Sequence, residues 1–516
     1  MNSAVPVGRA ATFVLVAFTL TEYIDQTQHS ALMNESPRDS HLFDLFCGAV
    51  ETALEYVRLA KTGQTHIGKH DNWPELRWHE KSGLPWVTTS SESPENYADA
   101  ISGIYGMLFG LGMGENEKPL DFRKEEKFIA LVEYAKTQPR LANYLNFEFH
   151  DFGTSHLQGM VADILDRYIH VYKTKELDRE NLLPIYLPLE ARLFDEVLPI
   201  VIAVPILFLK FDLPHFDISD FISIQTISEE LHLARGWPGP FGSADNSIVE
   251  SAATHALFIR NRSVENKDWF KLGQREMSLE SYPVEDINTF FAAVGIATGY
   301  PTGYAEMLAL PVGWASSYVA DLIPVDGPSV ENYPPFFKEG YWQGEVPTVS
   351  SVEADMIRET FVNLQQVLAT KYAHKVRLAV NRLNLSSTRT TDEDGVIDSM
   401  IAMEALLSDG TQEMTHKVAM RLAGLYKIAD LRRADEVFME MKRIYTFRSK
   451  IVHGDTDLEK YRKITRGDET IWTVHAAVEH LRTAFLVLVN HPAFLDPTKI
   501  DKFLLTDKLP DASKPA

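Results

Sequence analysis

One cysteine, Cys47, stands in a chain of 516 residues, so no intramolecular disulfide can form, which fits a reducing compartment. No Gly-rich loop with a following Lys is present, which argues against NTP hydrolysis. Long apolar runs are scarce too. Ala11–Leu20 follows Arg9 and imitates the start of a signal peptide, but no small-residue cleavage site follows before Thr21-Glu22-Tyr23-Ile24-Asp25. Val197–Leu209 is too short to span a bilayer and contains Pro199 and Pro205. Both runs are expected to be buried strands, and the protein to be cytoplasmic with no membrane contact. Repeats and low-complexity tracts are absent. Positive charge is in deficit, with a formal net charge of −22, which at first argues against a nucleic-acid partner.

The distribution of that charge matters more than its sum. Residues 352–490 hold 20 Lys and Arg against 20 Asp and Glu, leaving 30 against 52 for the rest of the chain. The acidity therefore lies outside the last third. Within it, Arg432, Arg433, Lys442, Arg443, Arg448 and Lys450 cluster, and Lys460, Arg462, Lys463 and Arg466 follow. Such a cluster can guide a phosphate backbone, although any one member can equally be a solvated helix position.

The length implies two or three domains, and the texture predicts an α+β protein. Residues 1–184 read as a mixed, largely helical region, with helices over Leu42–Leu59, Tyr97–Gly110, Lys124–Thr137 and Leu157–Lys173. A loop-like stretch over 72–86 carries three of the eight tryptophans, read as wedges pinning it to the core. Residues 185–350 read as strand-rich, with short apolar runs at Ile185–Leu189, Val197–Leu209 and Phe221–Ile227 and a Pro-rich linker from Pro324. Residues 352–492 read as an all-α bundle. Its expected helices are Val352–Leu385, 396–408, 412–429, 433–453 and 470–490, with Thr411 as an N-cap. Residues 493–516 read as a frayed tail.

The most informative stretch is Arg448-Ser449-Lys450-Ile451-Val452-His453-Gly454. Val437, Met441, Ile444, Ile451 and Val452 mark a buried helix face, and a step of four from Ile444 lands on Arg448. His453 falls in the last turn and Gly454 supplies the stop. A fixed cation beside a titratable imidazole is what phosphodiester cleavage requires: Arg clamps phosphate oxygens, and His moves protons near neutral pH. Upstream lie Ile397-Asp398-Ser399-Met400-Ile401-Ala402-Met403-Glu404-Ala405-Leu406-Leu407 and His416-Lys417-Val418-Ala419-Met420-Arg421-Leu422-Ala423, preceded by Ala379-Val380-Asn381-Arg382-Leu383. With the Arg448–Gly454 stretch, these blocks resemble the Apea-like HEPN family over roughly residues 352–492.

The resemblance implies a helical bundle that homodimerises and a metal-independent endoribonuclease with no cofactor, cutting through the ribose 2′-hydroxyl. It implies Arg448 and His453 as catalytic residues, supported by Ser449, Glu404, Asp398 and Gly454. RNA would lie along Arg432, Arg433, Lys442, Arg443, Lys450 and Lys463. For Apea-like proteins it further implies anti-phage defence, with cellular RNA (tRNA among the candidates) as target and a phage-derived trigger or inhibitor protein as partner. Ser449 stands where RNase-type members often carry a larger polar residue. An ideal helix sets positions five apart at roughly 140°, so a shared cleft needs a second subunit or a helix that ends before Gly454. The alternative is a noncatalytic HEPN scaffold that dimerises and binds nucleic acid or protein. Arg448 would then pair with Glu404 or Asp398 to fix the bundle, and His453 would cap carbonyls.

Other candidates carry less. His66 and His70 are four apart, but Gly68 between them argues against a helix and no further ligands stand out, so no metal site is expected. His150-Asp151 is too short a match to a metal-phosphohydrolase dipeptide to count. His255 reads as a packed histidine in a small-residue helix, and Cys47 as core.

Overall fold

The computed structural model describes residues 36–60, 67–102, 121–145, 152–237, 248–266, 282–339, 344–410 and 413–509. Ala11–Leu20, His66, most of the helix expected over Tyr97–Gly110, His150-Asp151 and Thr411 lie outside them. The fold is α+β with a C-terminal helical region. No helix among the described residues is long and apolar enough to cross a membrane.

The first core gathers α1 (Ser40–Ala60), α2 (Glu126–Thr137), α3 (Pro139–Leu145), α4 (Phe152–Tyr172) and α5 (Arg179–Phe194). Cys47 is buried on α1, as its apolar setting suggests. The run Ile185–Leu189, expected as a strand, lies inside α5, which crosses residue 184 and carries Pro184 and Pro188 within it. Asp178 caps the helix by accepting from Glu180 N, and Leu182, Ile185, Leu189 and Leu193 bury one helical stripe. Two prolines are tolerated because burial of that stripe outweighs the hydrogen bonds they remove. The tryptophan-rich stretch is a hairpin, β1 (Pro74–Trp78) with β2 (Pro85–Thr89), rather than a loop. Trp73 packs on the core as a wedge, whereas Trp78 is 54% exposed.

The middle region is a five-stranded antiparallel sheet. It is built from β3 (Val197–Ile206), β4 (His215–Ser219), β5 (Ile222–Thr226), β6 (His255–Glu265) and β7 (Leu308–Pro311), in the order β7-β3-β6-β5-β4. β3 is a buried strand, as its apolar run predicts. It holds two prolines in an internal position because only Ile200–Ala203 pairs with β7, and Pro199 and Pro205 lie outside that stretch. His255 is a packed core histidine but opens strand β6 rather than sitting in a helix; its ring meets Thr254 and Thr226. Period-two alternation splits β3 between two layers. Leu198, Ile200, Ile202, Val204 and Ile206 face the C-terminal helices, whereas Val201 and Ala203 face Leu231 and Ala234 of α6 (Glu229–Gly236).

The C-terminal bundle packs on that sheet through α7 (Val284–Thr298), so sheet and bundle share one continuous core. α8 (Ser351–Leu368) starts at a capping box in which Ser350 and Glu353 satisfy each other's backbone N–H groups. The single helix expected over 352–385 is two, because Thr370 accepts from Tyr372 N and donates to Val367 O, diverting the chain before α9 (Ala373–Thr388). α10 (Asp392–Leu407), α11 (Met414–Ile428) and α12 (Ala434–Val452) follow near their expected positions. Residues 469–472 are not helical. They form β9 (Glu469–Trp472) against β8 (Lys463–Arg466), turned by Gly467 at φ +58°, before α13 (Thr473–Asn490). Nor is the tail frayed over Pro497–Thr506. Asp496 caps α14 (Pro497–Thr506), with Pro at the first position, and Asp501 of α14 holds the buried Arg421.

Candidate active site at the end of α12

The buried face of α12 is Val437, Glu440, Met441, Ile444 and Phe447. Phe447, three positions after Ile444, takes the apolar place that the sequence pattern assigned one step on. Arg448 therefore stands at the edge of the stripe, with 27% of its side chain exposed. Ile451 is half-buried and Val452 exposed.

Arg448 leans toward α10, where its Nη2 lies 3.8 Å from Glu404 Oε2. Its guanidinium also sits 5.7 Å from the centre of the Tyr445 ring. The pairing is loose: Nε of Arg448 and Oε1 of Glu404 are both buried with no hydrogen-bond partner among the described residues. Asp398, the other acidic candidate, is not at Arg448. It is buried between Arg382 (2.5 Å) and Arg389 (2.6 Å) and ties α9 to α10.

His453 is the C-cap of α12 and is exposed. The helix ends in a Schellman motif: Gly454 N donates to Ile451 O and Asp455 N to Lys450 O, both at 3.0 Å, with Gly454 at φ +70°. Ser449 contributes its carbonyl, which accepts from His453 N. Among the described residues Arg448 and His453 share no hydrogen bond or ion pair, so the chain brings Arg448 and Glu404 together but leaves His453 facing solvent.

The basic residues divide into two groups. Arg432 is half-buried and spent on Glu440, Arg433 pairs with Asp435 at 2.7 Å, and Lys450 pairs with Asp455 at 2.6 Å. Asp455 holds the Lys450 ammonium above its usual range. Lys442, Arg443 and Lys463 are exposed; Lys442 lies over the Phe438 ring and Lys463 over Trp472.

Sequence reasoning missed a polar network between α12 and α13. The Glu440 side chain, 6% exposed, accepts from Arg432, from Arg466 and from the fully buried His480. Burial pushes the Glu440 carboxyl up, but hydrogen bonds from His480, Arg432 and Arg466 outweigh it and hold it far below the usual carboxylate range. Tyr426 extends the network to His480 Nδ1 at 2.8 Å and to Thr483. Glu440 follows Val437 and precedes Ile444 on the apolar stripe, and that misplaced charge was its only sequence signal. No family model, curated protein or solved structure matches this chain.

Proposed function

We propose that this chain is a metal-independent endoribonuclease of the HEPN type, acting as a homodimer. The observation that supports it is one helix end: a guanidinium with an uncommitted Nε at 448 and a solvent-facing imidazole at the Schellman stop five residues on. In a two-fold pair, one His453 takes the proton of the ribose 2′-hydroxyl, whose oxygen attacks the adjacent phosphorus. The other His453 gives a proton to the departing 5′-oxygen, and the two Arg448 side chains neutralise the phosphorane. The products are a 2′,3′-cyclic phosphate and a 5′-hydroxyl. Lys442, Arg443 and Lys463, exposed and without an ion pair among the described residues, supply positive charge for the RNA backbone. The acidic N-terminal two-thirds would sense a trigger or restrain the site, within a cytoplasmic anti-phage response directed at cellular RNA such as tRNA.

A second reading is a noncatalytic HEPN scaffold, favoured by the Arg448–Glu404 contact. Incubating the purified protein with total RNA, without added metal, separates the two. The enzyme generates fragments with cyclic-phosphate and 5′-hydroxyl ends. Intact RNA at every protein concentration that produces binding would favour the scaffold.

A further inference from the structure

We infer that His70, Asp166 and His170 form a buried binding site for one zinc-type divalent cation, with the Glu95 carbonyl as fourth donor. The site lies in the N-terminal region, apart from α12, and does not depend on the nuclease reading.

Two local structures build it. A short ladder pairs Gly68–Lys69 with Glu95–Asn96, and His70 N donates to Pro94 O at 2.9 Å. This places His70 directly beyond the strand that pairs with Glu95–Asn96. On α4, Asp166 and His170 are four apart and share a helix face. Ninety-six residues separate His70 from Asp166, which is why spacing along the chain gave no signal.

The donor atoms converge. His70 Nε2 is 2.9 Å from Asp166 Oδ2, His170 Nε2 is 3.4 Å from Oδ1, and His170 Nε2 is 2.8 Å from Glu95 O. The His70, Asp166 and His170 atoms all lie within 4.8 Å of one another. A tetrahedral zinc with bonds of about 2.0 Å sets its ligand atoms about 3.3 Å apart, and the 2.9, 3.4 and 2.8 Å contacts bracket that spacing. Two imidazole nitrogens with a carboxylate and a carbonyl oxygen suit zinc better than calcium or magnesium, which take oxygen alone.

The surroundings suit a bound ion. Tyr97 N donates to Asp166 Oδ1 and Ala320 N to Oδ2, each at 2.9 Å, holding the carboxylate in place as outer-shell groups do around metals. His170 Nε2 faces two oxygens, Glu95 O and Asp166 Oδ1, yet carries at most one hydrogen. A cation at the centre takes lone pairs from both imidazoles and both oxygens at once. The three residues are 9%, 2% and 8% exposed, and Trp73 and Tyr97 pack at tilted angles against the two rings, which limits the access of water. A closed site of this kind is structural: it joins the His70 segment, α4 and the chain at Ala320.

The test uses the full chain. Protein stripped by dialysis against chelator, with its fold checked by circular dichroism, is titrated with Co2+ and then Zn2+. The expected result is one equivalent of Co2+ with the strong visible bands of tetrahedral cobalt, lost when Zn2+ displaces it. Asp166→Asn should weaken binding beyond the roughly 10–100-fold cost of an outer-shell change. Asp166 also anchors two backbone N–H groups, so His170→Gln, which keeps a donor for Glu95 O, is the second variant and should also abolish the bands. Folded wild-type protein that binds neither ion stoichiometrically overturns the site, as do unchanged bands in folded His170→Gln. None of these readouts involves RNA, so they fail or succeed separately from the nuclease reading.

Discussion

Replacing Glu440 by Gln keeps its volume and removes one charge from the network between α12 and α13. Glu440 accepts five hydrogen bonds: from Arg432 at 2.7 and 3.3 Å, from Arg466 at 3.1 and 3.0 Å, and from His480 at 3.1 Å. Both arginines are 22% exposed, so solvent compensates them only in part. Gln offers one acceptor oxygen and turns an NH2 group toward cations. Removing one partner of a buried ion network costs about 3–5 kcal/mol. At roughly 2–4 °C per kcal/mol for a unit of this size, Tm should fall by about 10 °C. The effect also depends on pH. The folded carboxyl is held well below its ordinary value, so the wild-type advantage is fully present above about pH 4.3 and shrinks as pH falls through the lower folded pKa. Calorimetry of both proteins from pH 7 down to acid reads this directly. A loss below about 1 kcal/mol at pH 7 would mean that water and Glu479, which also pairs with Arg432 and Arg466, replace Glu440.

Gly454→Ala should cost about 1–2 kcal/mol in chemical denaturation, because a Cβ there meets nothing within 4 Å among the described residues and only the left-handed backbone is penalised. Arg448→Lys keeps the charge and loses the planar fork; turnover should fall roughly 100-fold with RNA affinity little changed, and near-full activity would reduce Arg448 to a point charge. Changing Lys442, Arg443 and Lys463 together to Ala should lower the salt slope of single-stranded RNA binding by roughly 0.7 for each phosphate no longer neutralised. Arg433→Ala, which removes a side chain already paired with Asp435, should leave that slope nearly unchanged.

Periodicity exposed what repeats locally. α1, α4 and the helices around Arg448 stand close to where their apolar spacing puts them, because each buries one long stripe. Short segments failed where tertiary contacts decide. Ile185–Leu189 looks like a strand in isolation and becomes helical only with the Leu182 and Leu193 turns around it. The turn at Gly467 converts residues 469–472 to a strand, and Arg421 gives α14 a partner that a Lys- and Pro-rich tail did not suggest. At the candidate site, the Schellman stop was legible from Gly454, and Glu404 was one of two partners open to Arg448. The commitment of Arg432 to Glu440 was not, since β8 supplies Arg466 and α13 supplies His480 from distant sequence.

His453→Ala tests the central claim most directly. His453 is exposed at the C-cap, and its backbone N–H already makes the bond to Ser449 O, so truncation should leave stability within about 0.5 kcal/mol. Cleavage of total RNA should fall by roughly 10²–10⁴-fold, the contribution of a positioned general acid or base. A folded His453→Ala protein that cuts RNA at the wild-type rate would contradict the account.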